Sequence, residues 1–250
     1  MTETPHDNDL FMETNQEEKS DLNPMHDEIV HGLKILHCQY NQLSDSDIEK
    51  IRLAGSLNIR HRLSYNQRVY AFMFMVTQLI DFCKRLPGFD KLYRDDQVAL
   101  IKNCVNRVLL LRLVETYDAD SETIYFAERP YTQDNFYVLD MGIPTVDMFG
   151  FCRQMHDMKV DSAGYALLTA ITIFSVSGCE TVQESWKVQK IHEIYKECLE
   201  AYINRKHYFE GGPTFSNLIS IYQRLESLFN NHLVTDSYEI GNFAYGVTGG

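Results

Sequence analysis

The chain has 250 residues, is 44% hydrophobic and 23% charged, and carries a formal net charge of -12. This suits one or two globular domains, and a surface this acidic is not built to grip phosphate backbones, so direct nucleic-acid contact is not expected. The six cysteines lie far apart with no C-x-x-C pair, which argues against zinc fingers and disulfide scaffolds; no metal or other cofactor is expected. The N-terminus lacks the apolar core of a secretion signal. The longest apolar run, around 163–176, is interrupted by Gly164, Thr169, Thr172 and Ser175 and is too short to span a bilayer. An intracellular, soluble chain without membrane contact is the expectation.

Residues 1–23 are acidic and polar, with Leu10, Phe11 and Met12 as an isolated apolar spot, and read as a disordered tail. One domain over 24–235 follows, because no stretch rich in Pro, Gly or Ser divides it. From Pro24, the spacing of Ile29, Leu33, Leu36 and Tyr40 predicts a first helix. Ser44 and Asp47 resemble a capping box that opens a short helix through Ile51. Residues 65–86 predict a long helix with Val69, Phe72, Met73, Val76, Ile80 and Cys83 on one stripe and Phe74, Leu79 and Phe82 beside it. So broad an apolar surface needs covering on more than one side.

The segment FCKRLPGFDKLYRDDQVALIK (82–102) then ends one helix and starts another. Pro87 lacks an amide proton for the helix ladder and Gly88 tolerates turn dihedrals. Phe89 and Leu92 predict a connection packed down on the core. Asp95 and Asp96 stand where a helix takes an N-cap and a negative first turn. Lys84 and Lys102 bracket the segment, and two helices meeting at an angle here place both at the rim of one shallow groove. The next helix, 98–114, is apolar all round and therefore runs through the middle of a soluble protein. It carries Arg112, whose charge must be met by backbone carbonyls, by a carboxylate such as Glu115, or by a polar group of a ligand.

TIYF (123–126) is the one strand-like run, ended by Arg129 and Pro130, and predicts a small ribbon. Helices are expected over 144–158, 162–176 and 182–206, and a last one from Pro213 through Phe229. Residues 236–250 are glycine-rich without periodicity and read as an irregular tail. The fold class is all-α, a three-layer antiparallel helical sandwich with a small β-ribbon. Taken alone, the aromatic and Met residues of 65–86 read as core, Lys84 and Lys102 as solvated surface lysines, and Cys83 and Cys104 as small core residues. No nucleophile–base–acid set, G-x-S-x-G elbow or glycine-rich phosphate loop is present, so catalysis is not expected.

Over roughly 24–232 the chain resembles the ligand-binding domain of nuclear receptors, in the subfamily of the ecdysone receptor and the oxysterol and bile-acid receptors. The segment 82–102 is similar to that family's signature. LLLRLVETYDADSETIYFA, YTQDNF and YALLTAITIFS follow in the same order. The resemblance implies a nuclear protein that regulates transcription, with a lipophilic, steroid-like ligand between the 65–86 helix, the central helix, the ribbon and the last helix. Lys84 and Lys102 would flank a groove for a coregulator's amphipathic helix, Lys84 capping its C-terminal carbonyls. The last helix would pair with a retinoid X receptor or ultraspiracle partner.

Position by position, Arg112 matches an arginine that hydrogen-bonds the steroid, and Ala127 a residue that offers its backbone. Phe72 and Met75 stand in place of threonines, Phe136 in place of a tyrosine, and His232 in place of an Asn facing the pocket. Three hydroxyls are lost together, which implies a more apolar ligand than a polyhydroxylated steroid, anchored by Arg112 at one end. Arg107 replaces an acid and Ser177 an arginine that form an internal ion pair in heterodimerising members. Nothing after Leu233 fits the family's closing helix, whose Glu completes the coregulator clamp. A ligand-independent dimerising repressor or decoy is therefore the alternative reading, with an intracellular lipid carrier behind it.

Overall fold

The computed structural model describes residues 24–54, 64–136, 141–210 and 212–230. The expectations for 1–23 and 236–250, for His232 and for the closing helix lie outside the described residues. Within them, eight helices run as α1 (Pro24–Tyr40), α2 (Asp45–Leu53), α3 (Tyr65–Arg85), α4 (Arg94–Val114), α5 (Thr145–Asp157), α6 (Ser162–Ile173), α7 (Ser185–Glu210) and α8 (Phe215–Asn230). Three short strands, β1 (Tyr117–Asp118), β2 (Thr123–Phe126) and β3 (Arg129–Tyr131), lie between α4 and α5. All-α architecture with a small ribbon is thus what the chain adopts.

α4 and α6 form the middle of the stack. Every residue of α4 from Arg107 to Val114 is buried, and so is every residue of α6 from Ala163 to Ile173. α4 packs against α3, α5, α6, α8 and β2, while α6 packs against α1, α4 and α7. α1 and α3 close one side; α5 and α8 close the other, with α7 alongside α6 and α8. A helix without a polar face is stable only in such a position. α8 is the opposite case, with Leu218, Ile221, Tyr222 and Leu225 turned inward and polar residues on the outside.

Two expected boundaries are corrected. β2 is not alone: it is the centre strand of an antiparallel sheet in the order β1-β2-β3, with Tyr117 opposite Ile124 and Ile124 opposite Tyr131. Pro130 does not end the strand run but lies within β3, opposite Tyr125. β3 is an edge strand, where a missing amide is tolerated. At the start of α4, neither Asp95 nor Asp96 is the N-cap; the helix begins earlier, at Arg94, after Tyr93. A complete capping box is found instead at α3, where Ser64 and Gln67 bond reciprocally.

Asp96 is fully buried, and its partners lie in the turn that leads into α7. Its Oδ1 accepts from the Gln183 amide at 2.7 Å and its Oδ2 from the Glu184 amide at 3.0 Å. These amides open α7, and a carboxylate there satisfies orphan donors and complements the positive end of the helix. The turn between α3 and α4 is pinned to α7 as well. Tyr195 donates its hydroxyl to the Pro87 carbonyl at 2.9 Å. Gly88 has φ +91°, and a Cβ there would meet Ile191 at 3.2 Å. Phe89 sits edge-on to Phe174, which stacks on Tyr195.

Hydrogen bonds to a charged group are worth about 1.5–3 kcal/mol each. Asp96→Asn keeps the shape, loses the charge and leaves a buried NH2 facing one of the two amide donors. We expect a loss of at least about 2 kcal/mol, read as a Tm drop of about 4–8 °C for a domain of this size. An unchanged melting curve contradicts the role given to Asp96.

Asp161 caps α6 and also ties down α7. It accepts from the Gly164 amide at 3.0 Å, the Tyr202 hydroxyl at 2.6 Å and Lys206 Nζ at 2.6 Å. Burial pushes its carboxyl up, but the bonds from Lys206, Tyr202 and Gly164 outweigh it, and the group is held below the usual carboxylate range. The stabilisation it gives is therefore present above the unfolded pKa of about 3.9 and is lost as pH falls through the folded value. In urea titrations, Asp161→Asn is expected to be less stable than the parent at pH 7, with the gap closing below about pH 4. A gap independent of pH contradicts this.

Candidate functional site

Arg112 sits in the last turn of α4 and is 5% exposed. Its Nη1 donates to the Met75 carbonyl of α3 at 3.1 Å. Of the three partners open to it from sequence, the structure records the backbone carbonyl. Glu115, three residues on, is engaged elsewhere. Its carboxylate takes His37 Nε2 of α1 at 2.9 and 3.0 Å and also the Asn41 side-chain amide. Burial lowers the Arg112 pKa to about 10, so the guanidinium stays protonated at neutral pH. Cys83, Glu115 and Cys104 lie within its field and favour the protonated form, and both cysteines are fully buried. Burial raises the Cys83 thiol well above its ordinary value and the Cys104 thiol to about 12, so both are neutral. Among the described residues, no carboxylate forms an ion pair with Arg112.

Met75 is buried beside Arg112, and Phe72, one turn earlier on α3, is half-buried against the core. Phe136 is 2% exposed and committed to an aromatic run. It meets Tyr131 edge-to-face at 5.9 Å and Phe149 of α5 at 6.0 Å, and Phe149 meets Tyr117 at 6.2 Å. Ala127 occupies the two-residue turn between β2 and β3, where Ala127 and Glu128 both have positive φ, 46° and 61°. Such a turn follows the twist of a hairpin but is strained for a residue with a Cβ. Ala127 lines a cavity of about 150 Å³ together with Ile48, Ile51 and Arg52 of α2, Gln67 of α3, and Arg129. Arg112 and Met75 are thus brought together, while Ala127 belongs to a cleft at the α2–ribbon side.

Lys84 lies in the last turn of α3, is exposed, and is 3.8 Å from Asp81. Lys102 is half-buried on α4. Ile80 and Ile101, each near one lysine in sequence, are buried. The angle between the two helices is held by the Pro87–Gly88 corner and by Gln97, whose Nε2 donates to the Phe89 and Leu92 carbonyls at 2.8 and 3.2 Å. Gln97 and Tyr195 are positioning residues: sequence places Tyr195 only on the apolar stripe of its helix, and Gln97 is marked by nothing but its place beside two acids.

The second arginine of α4 is treated differently from the first. Arg107 is 3% exposed and donates from Nη1 to Glu226 Oε1 of α8 at 3.1 Å and from Nη2 to the Asn103 carbonyl at 2.8 Å. Ser175 and Tyr222 donate hydroxyls to the same Glu226 oxygen at 2.6 and 2.8 Å. Asn103 donates to the Ser175 and Ser177 carbonyls, both at 3.1 Å. Arg107 thus finds an acid on α8 and Ser177 contributes its backbone carbonyl, while the buried Arg107 Nε has no hydrogen-bond partner among the described residues.

Comparison with known proteins places this geometry in context. The sequence pattern of the ligand-binding domain of nuclear hormone receptor matches residues 56–235, well over half the chain. The chain is 36% identical over 199 residues to the ecdysone receptor of Lucilia cuprina, covering 77% of this chain and 26% of that receptor. It is 35% identical over 198 residues to the ecdysone receptor of Drosophila melanogaster, covering 77% and 22%, and 32% over 201 residues to that of Chironomus tentans, covering 77% and 37%. The chain spans well under half the length of these curated relatives. A receptor-domain pattern over a three-layer helical stack settles the family: the chain belongs to the nuclear hormone receptor ligand-binding domains.

Proposed function

We propose that this chain is the ligand-binding and dimerisation domain of a nuclear receptor that regulates transcription. It takes a lipophilic, steroid-like ligand in an internal pocket and acts in the nucleus. The observation that carries this reading is Arg112, a buried cation on the central helix whose donors greatly exceed its protein acceptors. A receptor gains specificity from a few such polar groups in an otherwise apolar site. Phe72, Met75, Phe136 and His232 contribute to the site, and Ala127 offers its backbone from the ribbon turn. Phe72, Met75 and Phe136 supply no hydroxyl, so each hydroxyl that a polyhydroxylated steroid left unpaired among them would cost about 1–3 kcal/mol.

Lys84 and Lys102 flank a groove for a coregulator's amphipathic helix, read by its apolar face. Pairing with a partner of the retinoid X receptor or ultraspiracle type uses α8. Its outer stripe, Ser216, Ser220, Gln223 and Ser227, is exposed and uncharged, and loss of charge is a mark of interface cores. The Arg107–Glu226 hub holds α8 against α4 so that this stripe faces out as a rigid surface.

Co-expressed with the ligand-binding domain of ultraspiracle or retinoid X receptor, the chain is expected to purify as a one-to-one complex and to retain a lipid in native mass spectrometry. A chain that stays monomeric and carries no lipid contradicts the proposal. A lipid retained without any pairing supports the carrier reading instead.

A further inference from the structure

Two large aromatic rings stand open at the start of α7. Trp186 is 55% exposed, and Tyr93, which precedes α4, is 59% exposed. Trp is highly buried on average, and exposed Trp and Tyr are the side chains that anchor interfaces. Lys187 joins the two rings: its Nζ stands 5.6 Å from the centre of Tyr93 and 5.9 Å from that of Trp186. Lys190, one turn on, sets its Nζ 5.0 Å from the Trp186 ring. Of the acids nearby, Glu184 is paired with Lys187 and Asp90 with Lys91. Lys190 pairs with no carboxylate among the described residues. The amides that open α7 are already taken by Asp96, so an incoming acid is met here by lysine. On a chain of net charge -12 most of the surface repels an acidic segment, and this face is an exception.

The chain itself holds a segment of matching chemistry. Leu10, Phe11 and Met12 form an apolar triplet flanked by Asp7, Asp9 and Glu13, and Lys19 is the only Lys or Arg in 1–23. The segment is also within reach. α1 begins at Pro24, and its first turn meets α7, where Asp27 pairs with Arg205 at 3.4 Å. Arg205 and Trp186 lie on one helix, about 28 Å apart along its axis. From Pro24, an extended chain carries Phe11 up to about 43 Å.

We infer that residues 7–13 dock on the Tyr93–Trp186 face, with Phe11 against the rings and Asp9 and Glu13 beside Lys190 and Lys187. An acidic, aromatic segment of another protein then gains this face only by displacing the chain's own. The inference is independent of the ligand-binding role.

Trp186 is the single tryptophan of the chain, so its fluorescence reads this face alone. Acrylamide quenching is measured on the whole chain and on the whole chain carrying Leu10→Ser, Phe11→Ser and Met12→Ser together, at about 0.05 M and about 1 M NaCl. At low salt the quenching constant of the parent is expected to be about two-fold or more below that of the triple variant, since a docked segment excludes solvent from its anchor. High salt should narrow the gap, and Lys190→Glu, at an exposed position, should raise the constant of the parent towards that of the variant. Equal quenching of parent and triple variant at low salt overturns the inference. Protection that survives the triple substitution and grows with protein concentration overturns it too, and assigns the face to a second copy of the chain.

Discussion

The central constraint in this molecule is that a helix without a polar face must carry two guanidiniums through a protein core. Apolar burial on all sides holds α4 in the middle of the stack, and a charge placed there cannot be hydrated. Arg107 solves this within the fold. Glu226 comes from α8, and Ser175 and Tyr222 saturate the same carboxylate oxygen. Arg112 is not solved within the described residues, although Glu115 is only three positions away and is itself buried enough to be an attractive partner. The chain uses that carboxylate to tie α1 to the end of α4. One arginine thereby has a carboxylate partner from another helix, while the other donates to the Met75 carbonyl alone.

The corner between α3 and α4 gives this arrangement its rigidity. Met75 and Lys84 are on one side of it, and Lys102, Arg107 and Arg112 on the other, so its angle sets how these residues lie relative to one another. Backbone groups of the corner are met by side chains from two directions, Gln97 from α4 and Tyr195 from α7. Asp96 fixes the start of α7 from the same place. A turn held on so many sides is stiff, as packed interiors are. α8 is tied to α4, the helix that bears Arg112, through Glu226.

Much of this was legible in the chain as written. The periodicity of α8 and the apolarity of α4 and α6 are local signals that burial follows, whereas in α3 the buried face is Ala71, Met75, Leu79 and Phe82 and the expected stripe of Val69, Phe72, Met73 and Val76 is half-buried. The Pro87–Gly88 stop is equally local. What could not be read were pairings between distant segments. Asp96 looks like a helix-starting acid of its own helix, yet its amides lie 87 residues further on. Arg107 looks like a broken ion pair, yet its acid lies 119 residues away on α8. Pro130 looks like a strand terminator because sequence does not say which edge of a sheet a strand will occupy. For the site, the pairing of Arg112 with Met75 depends on how two helices cross, while Phe136 is drawn into the Tyr131–Phe149 aromatic run by a ribbon whose third strand sequence does not announce.

The claim that one arginine is structural and the other is reserved can be measured directly on the ligand-free protein, by comparing the unfolding free energies of Arg107→Met and Arg112→Met with that of the parent chain. Removing Arg107 strands the Glu226 carboxylate and should cost about 3–5 kcal/mol, whereas removing an uncompensated buried cation in favour of an apolar side chain should be neutral or stabilising by about 1 kcal/mol or more. Equal and large losses from both substitutions would mean that Arg112 is held by the fold itself, and would contradict the account.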